Sequence, residues 1–217
     1  MQIDLTKYDF FVFDCDGVIL DSNLIKTQAF KESLLNYPDE QVLEFLAYHR
    51  NNGGISRYHK FNYFFDQIIK MENYEQSLQT ALKDYANILE VELLTCSFVP
   101  GVIKFLSLLN HHKKDAYVNS GSSENELNQI FKQRGINNFF KDIKGSPDSK
   151  YSNMSHIIND RKKGSKGLFF GDSLVDFQVA NKFSINFVYV ESFSEWKDFP
   201  KNIAKIGDFE DLKKLII

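Results

Sequence analysis

Residues 8–18 of the chain read YDFFVFDCDGV. The run from Tyr8 to Phe13 is apolar on both faces, and an apolar run without alternation is typical of a strand buried inside a parallel sheet. The run leads into Asp14, and Asp16 adds a second carboxylate two residues later. Gly17 then supplies the permissive backbone that a tight loop requires. This segment therefore predicts a buried strand whose carboxyl end carries acidic side chains.

Two later apolar runs end in the same way. Ala116 to Val118 leads through Asn119 into Ser120, and Leu168 to Phe170 leads through Gly171 into Asp172. A further buried strand is predicted at Phe187–Val190. Three helices are also predicted: one begins after Pro100-Gly101, and the others lie over Ser123–Arg134 and Phe177–Phe183. Alternation of strands and helices predicts an α/β fold, a Rossmann-like doubly wound parallel sheet.

The segment from Asn23 to Leu94 shows helical patterning alone. Four helices are predicted, at Leu24–Leu35, Val42–Tyr48, Tyr58–Ile69 and Leu78–Leu93. A stretch of roughly 70 residues is too long for a simple crossover between neighbouring strands. We interpret residues 22–94 as an inserted all-helical cap domain, and residues 1–21 and 95–217 as the catalytic core. A helical decoration of the core is the alternative interpretation.

Composition narrows the class of protein. The 217 residues are 43% hydrophobic and 15% aromatic, which excludes a disordered chain. Lys and Arg number 26 against 29 Asp and Glu, so we expect no nucleic-acid partner. No apolar run approaches the roughly 20 residues that span a bilayer, so we expect no membrane partner. Cys15 and Cys96 are too few for a disulfide framework, which favours a cytoplasmic enzyme.

The polar residues at the strand ends are expected to share one crevice. In open α/β sheets the ligand site lies beyond the carboxyl ends of the strands, which here carry Asp14, Ser120 and Asp172. Asp176 follows Asp172 by four residues, and Lys150 lies in a polar stretch between the second and third runs. Lys144, six residues before Lys150, is the alternative lysine for the same site.

The expected charge of this crevice points to a metal ion. Four carboxylates and one lysine carry a net charge of about −3, which is costly to gather in one pocket without a cation. Oxygen ligands with no His or Cys favour Mg²⁺ over Zn²⁺. A magnesium site with a lysine and a serine hydroxyl suits a bound phosphate group.

The chain also resembles a known family. The motif from Asp14 to Val18 is similar to the D-x-D-G-V signature of the haloacid dehalogenase superfamily phosphatases. Ser120-Gly121-Ser122, Lys150 and the segment Gly171–Asp176 resemble the second, third and fourth motifs of that family, in the same order. The resemblance extends from about Tyr8 to Val190, and the helical insert looks like a C1-type cap. Phosphoglycolate phosphatase and β-phosphoglucomutase are relatives of this type.

The resemblance implies a role for each carboxylate. Asp14 would be the nucleophile that forms an aspartyl-phosphate. Asp16 would protonate the leaving alcohol and then activate water, so its pKa is expected to be raised. The Mg²⁺ ligands would be the side chains of Asp14 and Asp172 together with the backbone carbonyl of Asp16. Asp176 would support the metal or orient Lys150.

The resemblance also implies how phosphate is held. Ser120 and Lys150 would bind the phosphoryl group, and the loop residues Gly17 and Gly121 would also bind it. In the insert, Arg57 and Lys60 are three residues apart and therefore share a helix face. An arginine there could clamp a carboxylate or a second phosphate on the leaving group. The alternative is an ordinary solvated face.

Three functions remain open from the sequence. The leading one is a Mg²⁺-dependent phosphatase that acts on a small phosphorylated metabolite through an aspartyl-phosphate. The second is a phosphomutase of the β-phosphoglucomutase type, which shares the aspartates and the cap. The third is a catalytically idle binding module. The leaving group and the oligomeric state are not encoded in any pattern that we recognise.

Overall fold

The computed structural model describes residues 2–212 and 214–216. The strands are β1 (Gln2–Asp4), β2 (Phe10–Phe13), β3 (Asp115–Ser123), β4 (Asp142–Ser146), β5 (Gly167–Gly171), β6 (Asn186–Val190), β7 (Lys205–Ile206) and β8 (Lys214–Ile216). The α-helices are α1 (Asn23–Glu32), α2 (Asp39–Asn51), α3 (Arg57–Tyr63), α4 (Glu75–Thr95), α5 (Val102–His111), α6 (Glu124–Gln133), α7 (Lys150–Asn159) and α8 (Leu174–Lys182). A π-helical turn, Phe64–Ile68, continues α3.

Six parallel strands form the main sheet in the order β4-β3-β2-β5-β6-β7, and β1 and β8 form a separate parallel pair. The central strand β2 pairs with β3 on one side and β5 on the other. Its four residues are all buried, as a strand covered on both faces requires. The arrangement confirms the predicted Rossmann-like doubly wound α/β fold.

Helices cover both faces of this sheet. Phe11 and Phe13 of β2 point to the face that α5 and α6 cover, whereas Phe10 and Val12 point to the face that α7 and α8 cover. On the first face Phe13 stacks on Phe170 of β5, with ring centroids 5.2 Å apart. Successive side chains of a strand alternate in direction, so one short apolar strand contributes to both hydrophobic layers.

Strand β4 was not predicted from the sequence. Its residues, DIKGS, contain one large apolar side chain, Ile143, and so show no apolar run. β4 lies at the edge of the main sheet and pairs with β3 alone. An edge strand tolerates polar and charged residues that a central strand does not. The polar stretch from Lys144 to Lys150 therefore contains the end of β4 and the first residue of α7.

Helices α1 to α4 follow one another between β2 and α5, and each corresponds to one of the four predicted helices. Their aromatic side chains form a buried cluster in which Phe45 lies 5.3 Å from Phe30 and 5.2 Å from Phe64, measured between ring centroids. The apolar cluster continues from this insert into the α5 and α6 face of the sheet. Among the described residues, no helix has both the length and the hydrophobicity needed to cross a membrane.

We expect Phe45→Ala to lower the free energy of unfolding by about 3–5 kcal/mol, because it leaves a cavity in the aromatic cluster. Phe45 is fully buried, whereas Leu43 on the same helix is 63% exposed, so Leu43→Ala is a matched control with a change within about 0.5 kcal/mol. Urea unfolding followed by circular dichroism measures both. Equal losses in the two variants would show that the cluster does not stabilise the insert.

Candidate active site

The carboxyl ends of β2, β3 and β5 meet where the strand order reverses, the usual position of a ligand site in such sheets. Asp14 follows β2 directly, and Asp172 follows β5 directly. Ser120 lies within β3, two residues beyond the residue paired with Phe13. All three side chains are buried. The topology thus brings to one edge three side chains that are far apart in sequence.

Lys150 stands at the first position of α7, and its ammonium group joins two of the carboxylates. Its Nζ donates to Oδ2 of Asp14 and to Oδ1 of Asp176, each at 2.7 Å, and its side chain is 1% exposed. Burial opposes its charge, but the two carboxylates outweigh burial and raise the pKa of Lys150. The lysine is therefore held as a cation beside Asp14.

The alternative lysine lies elsewhere. Lys144 on β4 forms surface ion pairs with Asp142, at 3.2 Å, and with Glu124, at 4.0 Å. Its side chain is about a quarter exposed, against a fully buried Lys150. Of the two lysines, Lys150 is therefore the one that contacts Asp14.

Asp176 is fully buried and both of its carboxylate oxygens are engaged. Oδ1 accepts from Lys150, and Oδ2 accepts from the backbone N–H of Ser173 at 3.2 Å and from its hydroxyl. Ser173 caps α8 and receives the N–H of Asp176 in return, which completes a capping box. Both residues are thereby fixed at the start of α8, with Asp176 turned toward Lys150.

Three carboxylates crowd together in this site. Asp14, Asp172 and Asp176 each offer an oxygen, and the three oxygens lie within 4.8 Å of one another. Burial, Asp176 and Asp16 raise the pKa of Asp14 to about 7 in spite of Lys150. Burial, with Asp14 and Asp176, raises the pKa of Asp172 well above its ordinary value. This excess of negative charge on hard oxygen donors fits a divalent cation such as Mg²⁺.

The expectation of a raised pKa for Asp16 was wrong. Burial acts in that direction, but the ammonium of Lys26 and hydrogen bonds outweigh it and hold the pKa of Asp16 below its ordinary value. Lys26 forms an ion pair with Oδ2 of Asp16, to which the Ser122 hydroxyl also donates at 2.8 Å. Ser22 donates to Oδ1 at 2.6 Å. Asp16 is therefore ionised in this arrangement.

Gly17 allows the loop after β2 to approach Asp172. Its φ is +74°, and a Cβ atom there would lie 2.4 Å from Oδ2 of Asp172. The same oxygen accepts a hydrogen bond from Nδ2 of Asn23 at 2.7 Å. The N–H of Gly17 donates to the carbonyl of Leu20, so it is not directed at the site. Gly17 therefore allows the loop backbone to lie close to Asp172 and does not donate a hydrogen bond into the site.

Arg57 and Lys60 share a face of α3 as predicted, but that face is not solvated. Both side chains are buried. Arg57 forms an ion pair with Glu126 of α6, and Lys60 donates to Nδ1 of His49 at 2.7 Å. The carboxylate of Glu126, near the start of α6, turns toward Arg57. The guanidinium of Arg57 is thus already paired with a carboxylate of the core.

The loop between α2 and α3 packs directly against the strand ends and helix starts of the main sheet. A Cβ on Gly54 would lie 2.8 Å from the Ser173 hydroxyl and 3.2 Å from Nζ of Lys150. A Cβ on Gly121 would lie 2.5 Å from the carbonyl oxygen of Gly54. Only residues without side chains permit this approach, so the two glycines let backbone cover the site.

A cavity of about 360 Å³ lies between the helical insert and the strand ends. Asp14, Asp16 and Asp172 form part of its wall, and Gly121 lies beside them. The opposite wall consists of side chains from the insert and from the segment after β6, among them Phe30, His49, Arg57, Lys60, Tyr85, Glu195 and Trp196. The cavity therefore joins the acidic site to a mixed polar and aromatic surface.

Three residues of this site were missed from the sequence: Asn23, Lys26 and Ser122. Asn23 and Lys26 are one helical turn apart at the start of α1, so both face the loop that carries Asp16. That spacing, directly after an acidic loop, was an available signal. Ser122 belongs to the same Ser-Gly-Ser motif as Ser120, and its hydroxyl also contacts Lys26.

Several solved structures share this fold. A predicted phosphoglycolate phosphatase from Haemophilus somnus 129pt matches 96% of this chain and 98% of its own, with a TM-score of 0.74 and 17% identity. CbbY from Rhodobacter sphaeroides, in complex with phosphate, matches 96% and 97%, with a TM-score of 0.73 and 13% identity. The HAD-hydrolase YfnB from Bacillus subtilis, bound to magnesium, matches 95% and 97%, with a TM-score of 0.69 and 19% identity. At these identities the likeness is one of fold.

No curated protein matches the chain in sequence. The sequence model of the haloacid dehalogenase-like hydrolases matches residues 11–190. That range extends from β2 to the end of β6 and includes every site residue predicted from the sequence. The chain therefore belongs to the haloacid dehalogenase-like hydrolase family.

Proposed function

We propose that the protein is a Mg²⁺-dependent phosphatase that hydrolyses a small-molecule phosphomonoester through a phosphorylated Asp14. The observation that carries the proposal is the buried ammonium of Lys150, which lies 2.7 Å from Oδ2 of Asp14, a residue in the wall of the cavity. A cation fixed beside a carboxylate nucleophile can bind the negative phosphoryl oxygens that the same carboxylate attacks.

The reaction would take place in two steps. An oxygen of Asp14 attacks phosphorus, the bond to the leaving oxygen breaks, and Asp16 gives its proton to that oxygen. A water molecule then attacks the phosphorus of the aspartyl-phosphate, passes a proton to Asp16 and releases phosphate with Asp14 restored. Asp16 is held ionised by Lys26, which is the form that the second step requires. Protonation of Asp16 for the first step implies that the contact with Lys26 is loosened when substrate is bound.

We assign the metal ligands to the side chains of Asp14 and Asp172 and to the backbone carbonyl of Asp16. The crowded carboxylate oxygens and the raised pKa values of Asp14 and Asp172 support this assignment. Bound Mg²⁺ would offset the excess negative charge and draw electron density from the phosphoryl group. Asp176 already engages Lys150 and Ser173 with its two oxygens, so we assign it to orienting Lys150.

We assign phosphoryl binding to Lys150, Ser120 and Gly121. We further propose that residues 22–94 act as a cap domain on a core of residues 1–21 and 95–217. The close seating of Gly54 on the core supports a cap that closes the site over its substrate. A covered site excludes water other than the attacking molecule, which favours phosphoryl transfer to Asp14.

Replacement of Asp14 by Asn is expected to reduce phosphate release by about a thousandfold or more, because the amide is a poor nucleophile. The measurement is release of inorganic phosphate from a broad panel of phosphomonoesters, with Mg²⁺ or EDTA. Asp148→Asn, an exposed carboxylate near Lys150, is the control and should behave as wild type. Transfer between sugar hydroxyls without net release would indicate a phosphomutase instead. Absence of both reactions would favour a binding module.

The contribution of Asp14 to the stability of the metal-free protein is expected to be lost as pH rises from about 4 to about 7. The pKa of Asp14 is raised from 3.8 to about 7 on folding, so the folded state binds more protons than the unfolded state in that window. Stability from this group is therefore present at low pH and lost as pH passes 7. Mg²⁺ should raise the melting temperature more at pH 7.5 than at pH 5.5.

The matched variant for this prediction is Asp14→Asn, which lacks the titrating group. In EDTA the melting temperature of wild type should fall relative to that of the variant between pH 4.5 and 7.5, because His49 and the other titrating groups are common to both proteins. Parallel curves for the two proteins would show that Asp14 does not titrate in the predicted window.

A further inference from the structure

We propose that Lys60 determines the substrate specificity of this site, by binding an anionic group on the leaving group of the phosphomonoester. The anion would be a carboxylate or a second phosphate. The inference rests on the proposed phosphatase function and narrows its substrates to those that carry a second negative group. The juxtaposition behind it is a buried cation, without a carboxylate partner, in the wall of the cavity that contains Asp14.

The ammonium group of Lys60 is held in place but not neutralised. The residue is 3% exposed, and its Nζ contacts Nδ1 of His49 at 2.7 Å and the backbone carbonyl of His49 at 3.3 Å. The ring of Phe30 lies 5.7 Å from the same nitrogen. Within residues 2–212, no acceptor is bound to its third proton. That proton is therefore available to a ligand in the cavity.

His49 serves Lys60 as a neutral acceptor. Its Nε2 lies 3.0 Å from the hydroxyl of Thr27, so both ring nitrogens are engaged within the insert. Burial and then Lys60 lower the pKa of His49 to about 2, so the ring brings no positive charge of its own. Burial and then Lys26 lower the pKa of Lys60 to about 7, against the weaker attraction of Glu195 and Asp16, neither of which forms an ion pair with it in the described chain. A negative group in the cavity would favour the charged lysine again.

The other two cations of the described cavity wall that are shielded from solvent already have carboxylate partners, whereas Arg50 and Lys197 of the same wall are exposed. Arg57 is paired with Glu126, and Lys26 is paired with Asp16. Arg50 lies 3.5 Å from Glu195. Lys60 differs because the nearest group to its charge is an imidazole. The sequence suggested Arg57 as the anion clamp, but Glu126 neutralises Arg57 in this chain and leaves that role to Lys60.

A buried cation without a counter-ion destabilises the folded state, so its presence calls for a reason other than packing. A methionine has a similar length and would fill the same space without charge. Lys60→Met removes the buried charge but leaves Nδ1 and the carbonyl of His49 without their donor, so we expect its melting temperature to stay close to that of wild type. A substrate anion that binds Lys60 would supply the missing negative charge and would explain why a lysine occupies this buried position.

The experiment compares phosphatase substrates in matched pairs. Two pairs test a carboxylate: 3-phosphoglycerate with glycerol 3-phosphate, and 6-phosphogluconate with sorbitol 6-phosphate. One pair tests a second phosphate: fructose 1,6-bisphosphate with fructose 6-phosphate. Each substrate is assayed with full-length wild type, Lys60→Met and Lys83→Met, the last of which removes an exposed lysine of α4. The quantity measured is a ratio of kcat/KM values, that of the member with a second anionic group (the anionic member) divided by that of the member without one.

We expect wild type and Lys83→Met to prefer the anionic member of at least one pair by about tenfold or more, since a hydrogen bond to a charged group discriminates by at least that factor. In Lys60→Met the ratio should fall close to one, mainly through a higher KM for the anionic member. The pair that responds identifies the anion as carboxylate or phosphate.

Three results would overturn the proposal. The first is a wild type that releases phosphate without preferring any anionic member, which would leave the phosphatase function intact. The second is a ratio that Lys60→Met does not change. The third is an equal loss on both members together with a lower melting temperature, which would make Lys60 a packing residue of the insert. Release from none of the substrates by wild type would overturn the proposed function, and this inference with it.

Discussion

The ion pairs of one buried lysine organise this active site. The ammonium of Lys150 lies between Asp14 and Asp176 and is excluded from solvent. Asp14 follows β2, Lys150 begins α7 and Asp176 lies in the first turn of α8. Hydrogen bonds hold the two helix starts in place. The amide of Asn119 binds the backbone carbonyl of Lys150, and the Ser173 capping box holds Asp176. Because an unpaired buried charge is costly, these three groups stabilise one another only when the strand ends and helix starts that carry them lie close together.

The pairing also explains why a parallel sheet suits this chemistry. Parallel strands present all their carboxyl ends on one edge, and helices return to the sheet with their amino ends near the same edge. Lys150 and Ser173 occupy such helix starts, while Asp14 and Asp172 occupy the strand ends. The acidic groups therefore gather where helix dipoles are positive, which offsets part of the repulsion that remains after Lys150 is counted.

The sequence predicted what depends on local pattern. The apolar runs that end in Asp14, Ser120 and Asp172 identified the buried strands and the acidic edge, because central strands leave a continuous apolar signal. β4 was missed because an edge strand leaves no such signal. The ionised state of Asp16 was missed because it depends on Lys26, and the loss of Arg57 as a free clamp depends on Glu126. Pairings between distant segments determine charge states, and no local pattern records them. Arg57 and Lys60 illustrate this, since neighbours on one helix face have different electrostatic partners.

The position of β2 in the sheet also has a consequence for biosynthesis. Phe10 pairs with Asp115 on one side and with Gly167 on the other, both more than a hundred residues later in the chain. During translation this apolar strand emerges long before either partner, while the helices of the insert can pack through contacts that are close in sequence. The nascent chain must therefore keep Phe10–Phe13 shielded until β5 has left the ribosome, and the aromatic helices made directly after it are the first surface available to cover it.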